Sequence, residues 1–214
     1  MAQTTSRQNS EARFVDSFFK ISTNILLIAF LQGCVTFSNL DPKARFDESS
    51  AESVIVMGVR PRYRVAIGPG EIRPDGNVKT GQIAALNVYP ENGYIVGKVP
   101  SAEGANEYHV QLILPEGIGG FVPAYAPCGD QQVASFFAPR GKVVYVGDLD
   151  FTSSGAKMAI SYSQNYPAAQ SFMAKYYPGL ASRIEHQPLQ GRRIVHVDCA
   201  PRSVTIPVYI PSRH

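Results

Sequence analysis

The chain has 214 residues, of which 44% are hydrophobic and 17% charged, so it can build a core and does not resemble a disordered polymer. Its formal net charge of +3 is too small to argue for a nucleic-acid partner. The 18 glycines, 16 prolines, 11 tyrosines and 11 phenylalanines predict short strands joined by tight turns.

The first distinctive segment is an apolar run from Ile25 to Leu31, preceded by the positive charge of Lys20. A helix needs about 20 apolar residues to cross a bilayer, so this run is too short to span one. Its length is instead typical of the hydrophobic region of a signal peptide. A buried helix that happens to end in Gly-Cys is the alternative.

The residues that end this run are Leu31-Gln32-Gly33-Cys34. They resemble the lipobox of bacterial lipoproteins, with an aliphatic residue at −3, a small one at −1 and cysteine at +1. The resemblance implies a lipid on the Cys34 thiol and cleavage of the bond between Gly33 and Cys34. Residues 1–33 are then a cleaved signal helix, and the protein is held on the membrane through Cys34.

Beyond Cys34 the composition changes twice. Residues 34–52 are polar and lack a sustained period, which predicts a flexible tether. From residue 53 to 214 short β-rich runs alternate with turns, which predicts a mainly β domain, a β-sandwich of short antiparallel strands. The predicted strands are SVIVMGV, RYRVAIG, QIAALNVY, YIVGKV, EYHVQLIL, QVASFFA, VVYVGDLDF, RIVHVDC and SVTIPVYI.

Turn residues predict how some of these strands connect. Asp75-Gly76 is a hairpin signal, and the turn PRGK is expected to join QVASFFA and VVYVGDLDF in the clearest hairpin of the chain. One short α-helix, over about 165–177, interrupts the strands. Asn165 is its expected cap, Pro167 lies in its first turn, and its apolar stripe is expected to pack against a sheet.

The segment FFAPRGKVVYVGDLDF, followed by a short helix ending in YYPGL, resembles an uncharacterised β-sandwich domain of small bacterial lipoproteins. Gly141, Lys142, Tyr145 and Gly147 match the strand motif of that family. The resemblance covers mainly residues 54–180. It implies the fold and an address in the cell envelope, and it supplies no catalytic residues.

Two cysteines remain once Cys34 is assigned to the lipid, namely Cys128 and Cys199. An even remainder in an exported domain predicts one disulfide between them. Two unpaired thiols are the alternative.

A search for chemistry finds no nucleophile elbow, zinc-binding helix motif, P-loop or Cys-x-x-Cys. Asp148 and Asp150 share one face of a strand end, and His109 and His196 lie on the presumed polar faces of strands. Capping, solvation or ordinary hydrogen bonding is the expected role of each. No serine has an evident histidine partner, and the sequence predicts no cofactor or metal.

The sequence therefore favours a non-catalytic binding or structural lipoprotein, anchored through Cys34 and facing an envelope protein or the cell wall. Val35 after the cysteine is not Asp, which by the lipoprotein resemblance favours the outer membrane and the periplasm. The alternative is an envelope hydrolase or metal-dependent enzyme that uses Asp148, Asp150 or the histidines. The two hypotheses differ in whether those groups converge in one pocket.

Overall fold

A computed structural model describes residues 36–80, 83–101, 107–115, 124–128, 131–154 and 157–195. All of these residues belong to one compact unit that spans residues 35–214. The predicted signal segment 1–33, Cys34 and the predicted closing strand SVTIPVYI lie outside the described residues.

The described part of the chain is mainly β, as the sequence predicts. Its strands are β1 (Glu52–Arg60), β2 (Arg64–Ile72), β3 (Val78–Thr80), β4 (Leu86–Val88), β5 (Tyr94–Pro100), β6 (Glu107–Leu114), β7 (Gln132–Phe137), β8 (Val143–Ser154), β9 (Lys157–Ser163), β10 (Ile184–His186) and β11 (Gln190–Arg193). Its helices are α1 (Tyr166–Tyr176) and α2 (Pro178–Ala181). The strands form two sheets.

The first sheet has the order β10-β8-β1-β5, and β9 also pairs with β8. The antiparallel arrangement that the sequence predicts is wrong for two of its pairs, because β8 runs parallel to both β1 and β10. The reason lies in burial: β1 is buried along its whole interior. A strand that is covered on both faces has a continuous apolar sequence, and such strands typically lie at the centre of a sheet with parallel neighbours.

The second sheet has the order β11-β7-β6-β2-β3, and β4 pairs with the other part of β2. Val78 of β3 forms a parallel bridge to Ile194, and the Val195 N–H donates to the Val78 carbonyl at 2.9 Å. This contact joins the first and last strands of the order. The sheet therefore nearly closes on itself, and side chains on one of its faces lie inside.

Two clusters of apolar side chains hold the domain together, and β1 contributes to both. Ile55, Met57 and Val59 pack between the sheets, whereas Val54 and Val56 face α1. This alternation is the period of two that a strand imposes on its side chains. The central position of β1 thus follows from its sequence, which is apolar on both faces.

Helix α1 confirms the predicted helix almost residue for residue. The Asn165 side chain accepts a hydrogen bond from the Ala168 N–H at 3.2 Å, and a proline lies in the first turn. Ala169, Phe172 and Met173 are buried in the second cluster. Pro178 follows α1 and begins the short helix α2.

The predicted hairpin between QVASFFA and VVYVGDLDF is wrong. Strand β7 pairs with β6 and β11 in the second sheet, whereas β8 lies between β1 and β10 in the first. The turn between them does reverse the chain, with Gly141 at φ +70°. It carries the chain from one sheet to the other, since Val143 to Val146 are buried and need a central position.

The prediction of a flexible tether over residues 34–52 is wrong for residues 36–52. The Leu40 N–H donates to the Val96 carbonyl at 2.7 Å, and the Tyr177 hydroxyl donates to the Leu40 carbonyl at 3.0 Å. Phe46 is buried in the second cluster beside Arg183, whose guanidinium carbon lies 5.3 Å from the Phe46 ring centre. The segment looked like a tether because its polar residues alternate with few, widely spaced apolar ones.

Candidate functional site

Several residues that the sequence singled out lie outside the described residues. They are the predicted cleavage site at Gly33 and Cys34, one predicted disulfide partner, Cys199, and the histidine His196. Cys128 lies half-buried in the described segment 124–128. Its pairing with Cys199 therefore stays a prediction.

Asp148 and Asp150 lie in the middle of β8, because the strand continues to Ser154, so the predicted position at a strand end is wrong; the two side chains also bind different partners. Asp150 forms an ion pair with Arg60, with contacts of 2.8 Å to Nε and 3.1 Å to Nη2. This hydrogen bond from Arg60 lowers the pKa of Asp150, and both side chains remain exposed. Asp150 is therefore charged and engaged at the surface, where such a pair contributes little to stability.

Asp148 is buried and is held by two donors. The Tyr145 hydroxyl donates to Asp148 Oδ2 at 2.8 Å, and the Asn165 N–H approaches the same oxygen at 3.2 Å. The carboxylate fits only because residue 58 is glycine: a Cβ at Gly58 would lie 1.8 Å from Asp148 Oδ1. Asp148 thus accepts hydrogen bonds where α1 begins, which is a structural role.

Tyr145 connects this carboxylate to a group of rings. Its hydroxyl accepts the Asn165 N–H at 2.8 Å, and its ring lies 5.9 Å from those of Tyr166 and His186. Burial raises the pKa of Tyr145 well above its usual range, so the phenol stays protonated and donates. Tyr145 therefore fixes the first turn of α1 on β8.

A second polar cluster lies on β6 and β7 and was not expected. The sequence predicts that His109 lies on the polar face of its strand, exposed or hydrogen-bonded, but His109 and Glu107 are both buried. The reason is the near closure of the second sheet through Val78 and Ile194, which turns the outer face of β6 inward. The pairing of β2 with β6 also shifts register between Ala66 and Ile67, so that Ile113 points into the core.

The register brings a serine to this cluster. Ser135 of β7 pairs directly with His109 of β6, and Glu107 lies two residues away on the same face. The sequence shows no serine with an evident histidine partner, whereas the strand register places Ser135 opposite His109. The signal was present in QVASFF, where Ser135 interrupts an apolar strand, but only the pairing register shows what it faces.

The bonding within this cluster is incomplete. Glu107 Oε1 accepts from Arg192 Nε at 3.1 Å, but Glu107 Oε2, both His109 nitrogens and Ser135 Oγ have no hydrogen-bond partner among the described residues. Burial lowers the pKa of His109 to about 4, so the imidazole is neutral at neutral pH. Buried polar groups without partners cost stability and mark a site worth explaining.

The cluster is packed tightly rather than open. A Cβ at Gly70 on the neighbouring strand β2 would lie 2.8 Å from His109 Nδ1 and 2.7 Å from Val78 Cγ1. A neutral imidazole beside a serine and a carboxylate has the groups of a hydrolase triad. Within the described residues, however, these side chains are fully enclosed and make no hydrogen bond to one another.

The described residues offer no group of three or more His, Cys, Asp or Glu side chains that could hold a metal ion. Among them, too, no helix has the length and apolar character that a membrane span requires.

In comparisons with known proteins, no protein-family model, curated protein or solved structure matches this chain.

Proposed function

We propose that this protein is a lipid-anchored lipoprotein of the bacterial cell envelope, whose β-sandwich domain is a non-catalytic binding or structural module. The observation that carries the proposal is where the compact unit starts. Among the described residues the compact unit starts at Thr36, which already pairs with Leu86. Cleavage between Gly33 and Cys34, where the sequence resembles a lipobox, leaves this unit whole.

Placement in the outer membrane, facing the periplasm, is part of the proposal and rests on Val35 after the cysteine. The predicted Cys128–Cys199 disulfide fits the same oxidising compartment. The motif shared with the β-sandwich domain of small lipoproteins adds weight, since Tyr145 of that motif anchors α1. The partner is an envelope protein or a cell-wall component, with no nucleic acid and no cofactor.

Fatty-acid labelling tests the anchor. Cells that express the full chain are grown with an alkyne-tagged fatty acid, and the protein is purified and scored for the tag. We expect label on the wild-type chain and complete loss in Cys34→Ala, because the diacylglyceryl group is attached to the Cys34 thiol and any further acyl chain to the amino group that cleavage then frees on the same residue. Cys128→Ser is the matched control and should keep the label. Equal labelling of Cys34→Ala and the wild type would contradict the proposal.

Hydrolysis is the second candidate function, favoured by the position of Ser135 opposite His109 with Glu107 on the same face. Enclosure of all three groups and the absence of a hydrogen bond between them weigh against it. Under the main proposal, a fluorophosphonate probe leaves Ser135 unmodified in the folded protein. Labelling that disappears in Ser135→Ala but persists in the exposed-site control Ser161→Ala would favour the hydrolase.

A further inference from the structure

The chain enters the domain along one exposed sheet edge. Thr36 bridges Leu86 in parallel: its N–H donates to the Ala85 carbonyl at 3.1 Å, and its carbonyl accepts from the Asn87 N–H at 2.9 Å. Cys34 is two residues upstream of Thr36, so the covalent chain allows at most about 7 Å between them. A lipid on Cys34 would therefore hold this edge close to the bilayer surface.

Large apolar side chains are exposed on either side of this entry point. Phe37 follows Thr36 directly and is 64% exposed, and Ile83 lies three residues before Leu86 and is 66% exposed. Most other large apolar side chains in the described ranges are covered. Both side chains therefore lie within three residues of the bridged pair and expose apolar area that water solvates poorly.

Arginines and a tyrosine continue the surface beside Phe37. The Arg64 guanidinium lies 5.5 Å from the Phe37 ring centre and 5.7 Å from that of Tyr89, and Arg62 lies 5.0 Å from the Tyr89 ring. The one acidic side chain that lines the same cleft as Arg62 is Glu91. Aromatic rings interleaved with arginine are typical of proteins that rest in the headgroup layer of a membrane.

The segment that carries Phe37 is fixed to both sheets. The Asn39 side chain donates to the Tyr89 carbonyl at 2.8 Å and accepts from the Val96 N–H at 2.9 Å. Thr36 binds beside β4, whereas Val96 belongs to β5 of the other sheet. Orientation of this segment against a surface therefore orients the whole domain.

We infer that the edge formed by Phe37, Arg62, Arg64, Ile83 and Tyr89, here named the Phe37 edge, docks on the anionic lipid headgroups of the membrane that holds Cys34. The inference rests on the proposed lipid anchor. The occupant is a lipid surface rather than a protein because the two-residue link leaves no room for a folded partner between the anchor and this edge. The arginines complement lipid phosphates, and Phe37 and Ile83 enter the interface.

A single tryptophan tests the docking, since the chain contains no natural one. The full lipidated protein is reconstituted into phosphatidylglycerol vesicles with bromine atoms on the upper acyl chain. Phe37→Trp is the reporter and Tyr162→Trp is the matched control. Tyr162 is also an exposed aromatic residue, but it lies on β9 of the first sheet, whereas Phe37 lies beside β4 of the second sheet.

We expect bromine quenching and a blue-shifted emission for Phe37→Trp, and neither for Tyr162→Trp. Lack of quenching at position 37 on a chain whose mass shows the lipid would overturn the docking while leaving the anchor intact. Protection from a water-soluble quencher without bromine quenching would mean that a protein covers the edge, which also overturns it. A chain with no lipid mass would overturn the anchor and the docking with it.

The charge contribution is measured in the same vesicles. Arg62→Ala and Arg64→Ala in the Phe37→Trp background are each expected to lower the docked population about fivefold, because an arginine near an anionic surface contributes about that factor. Lys142→Ala, on a remote exposed lysine, is the matched control and should leave quenching unchanged. Bromine quenching that is the same in both arginine variants as in Phe37→Trp alone would overturn the assignment to anionic headgroups.

Discussion

Replacing Phe46 by alanine is expected to lower the free energy of unfolding by about 3 to 5 kcal/mol, the usual cost of truncating a buried phenylalanine. Phe46 lies within the segment that the sequence predicts to be a tether, yet its side chain is buried in the second cluster. Arg183 donates to the Phe46 carbonyl at 2.7 Å and its guanidinium covers the ring. A tether residue would contribute nothing.

Phe37→Ala is the matched control for this measurement. Phe37 lies in the same segment, but its side chain is exposed, so its removal should change stability by less than about 0.5 kcal/mol. Urea unfolding of the purified variants gives both values. Equal, small effects at the two positions would mean that residues 36–52 are a tether after all.

Acidification is expected to destabilise the protein through His109. Burial lowers the pKa of His109 to about 4, below its usual value of about 6.5. Between these two pH values the imidazole is protonated in the unfolded chain and neutral in the folded one. Stability therefore falls as the pH falls from about 6.5 towards 4. Between pH 7 and pH 5 the loss from this one group is about 2 kcal/mol.

The groups that face His109 are Glu107, Ser135 and, through Glu107, Arg192. His109→Gln keeps a polar side chain but removes the titration, so its stability should be almost independent of pH in this window. His186→Gln, at an exposed histidine, is the matched control and should keep the wild-type slope. The pH dependence of the three proteins is measured as the urea midpoint of unfolding at a series of pH values. A slope that survives in His109→Gln would place the titrating group elsewhere.

Local signals account for the parts of the fold that the sequence predicts well. The apolar run of β1, the hairpin at Asp75-Gly76 and the capped helix α1 each depend on neighbours within a few residues. The Asn77 N–H, for example, donates to Asp75 Oδ1 at 3.0 Å within that turn. Residue type and spacing decide such features directly.

Strand pairing depends on contacts between distant parts of the chain, and there the predictions fail. Nothing in VVYVGDLDF indicates that it runs parallel to β1 rather than back along β7. The turn before it is a genuine turn, but a turn does not specify the partner. The prediction of a flexible tether over residues 36–52 fails for the same reason. The segment packs on the domain through one buried ring, that of Phe46, and its contacts come from distant parts of the chain.

In the candidate site, too, local sequence predicts which residues lie on which strand but does not predict their partners from distant parts of the chain. The sequence predicts Asp148 and Asp150 at a strand end, but β8 continues to Ser154, and their partners Arg60 and Asn165 come from other parts of the chain. His109 was placed on the polar face of its strand because alternation along one strand cannot reveal a sheet that closes. Only the bridge from Val78 to Ile194, far apart in the sequence, makes that face internal.

The most direct test of the lipoprotein proposal is the intact mass of the protein extracted from membranes of bacteria that express the full chain. The predicted mass is that of a polypeptide starting at Cys34 with acyl chains on it. Cys34→Ala is predicted to keep residues 1–33 and to carry no added mass. An unprocessed chain without lipid in both samples would contradict the account.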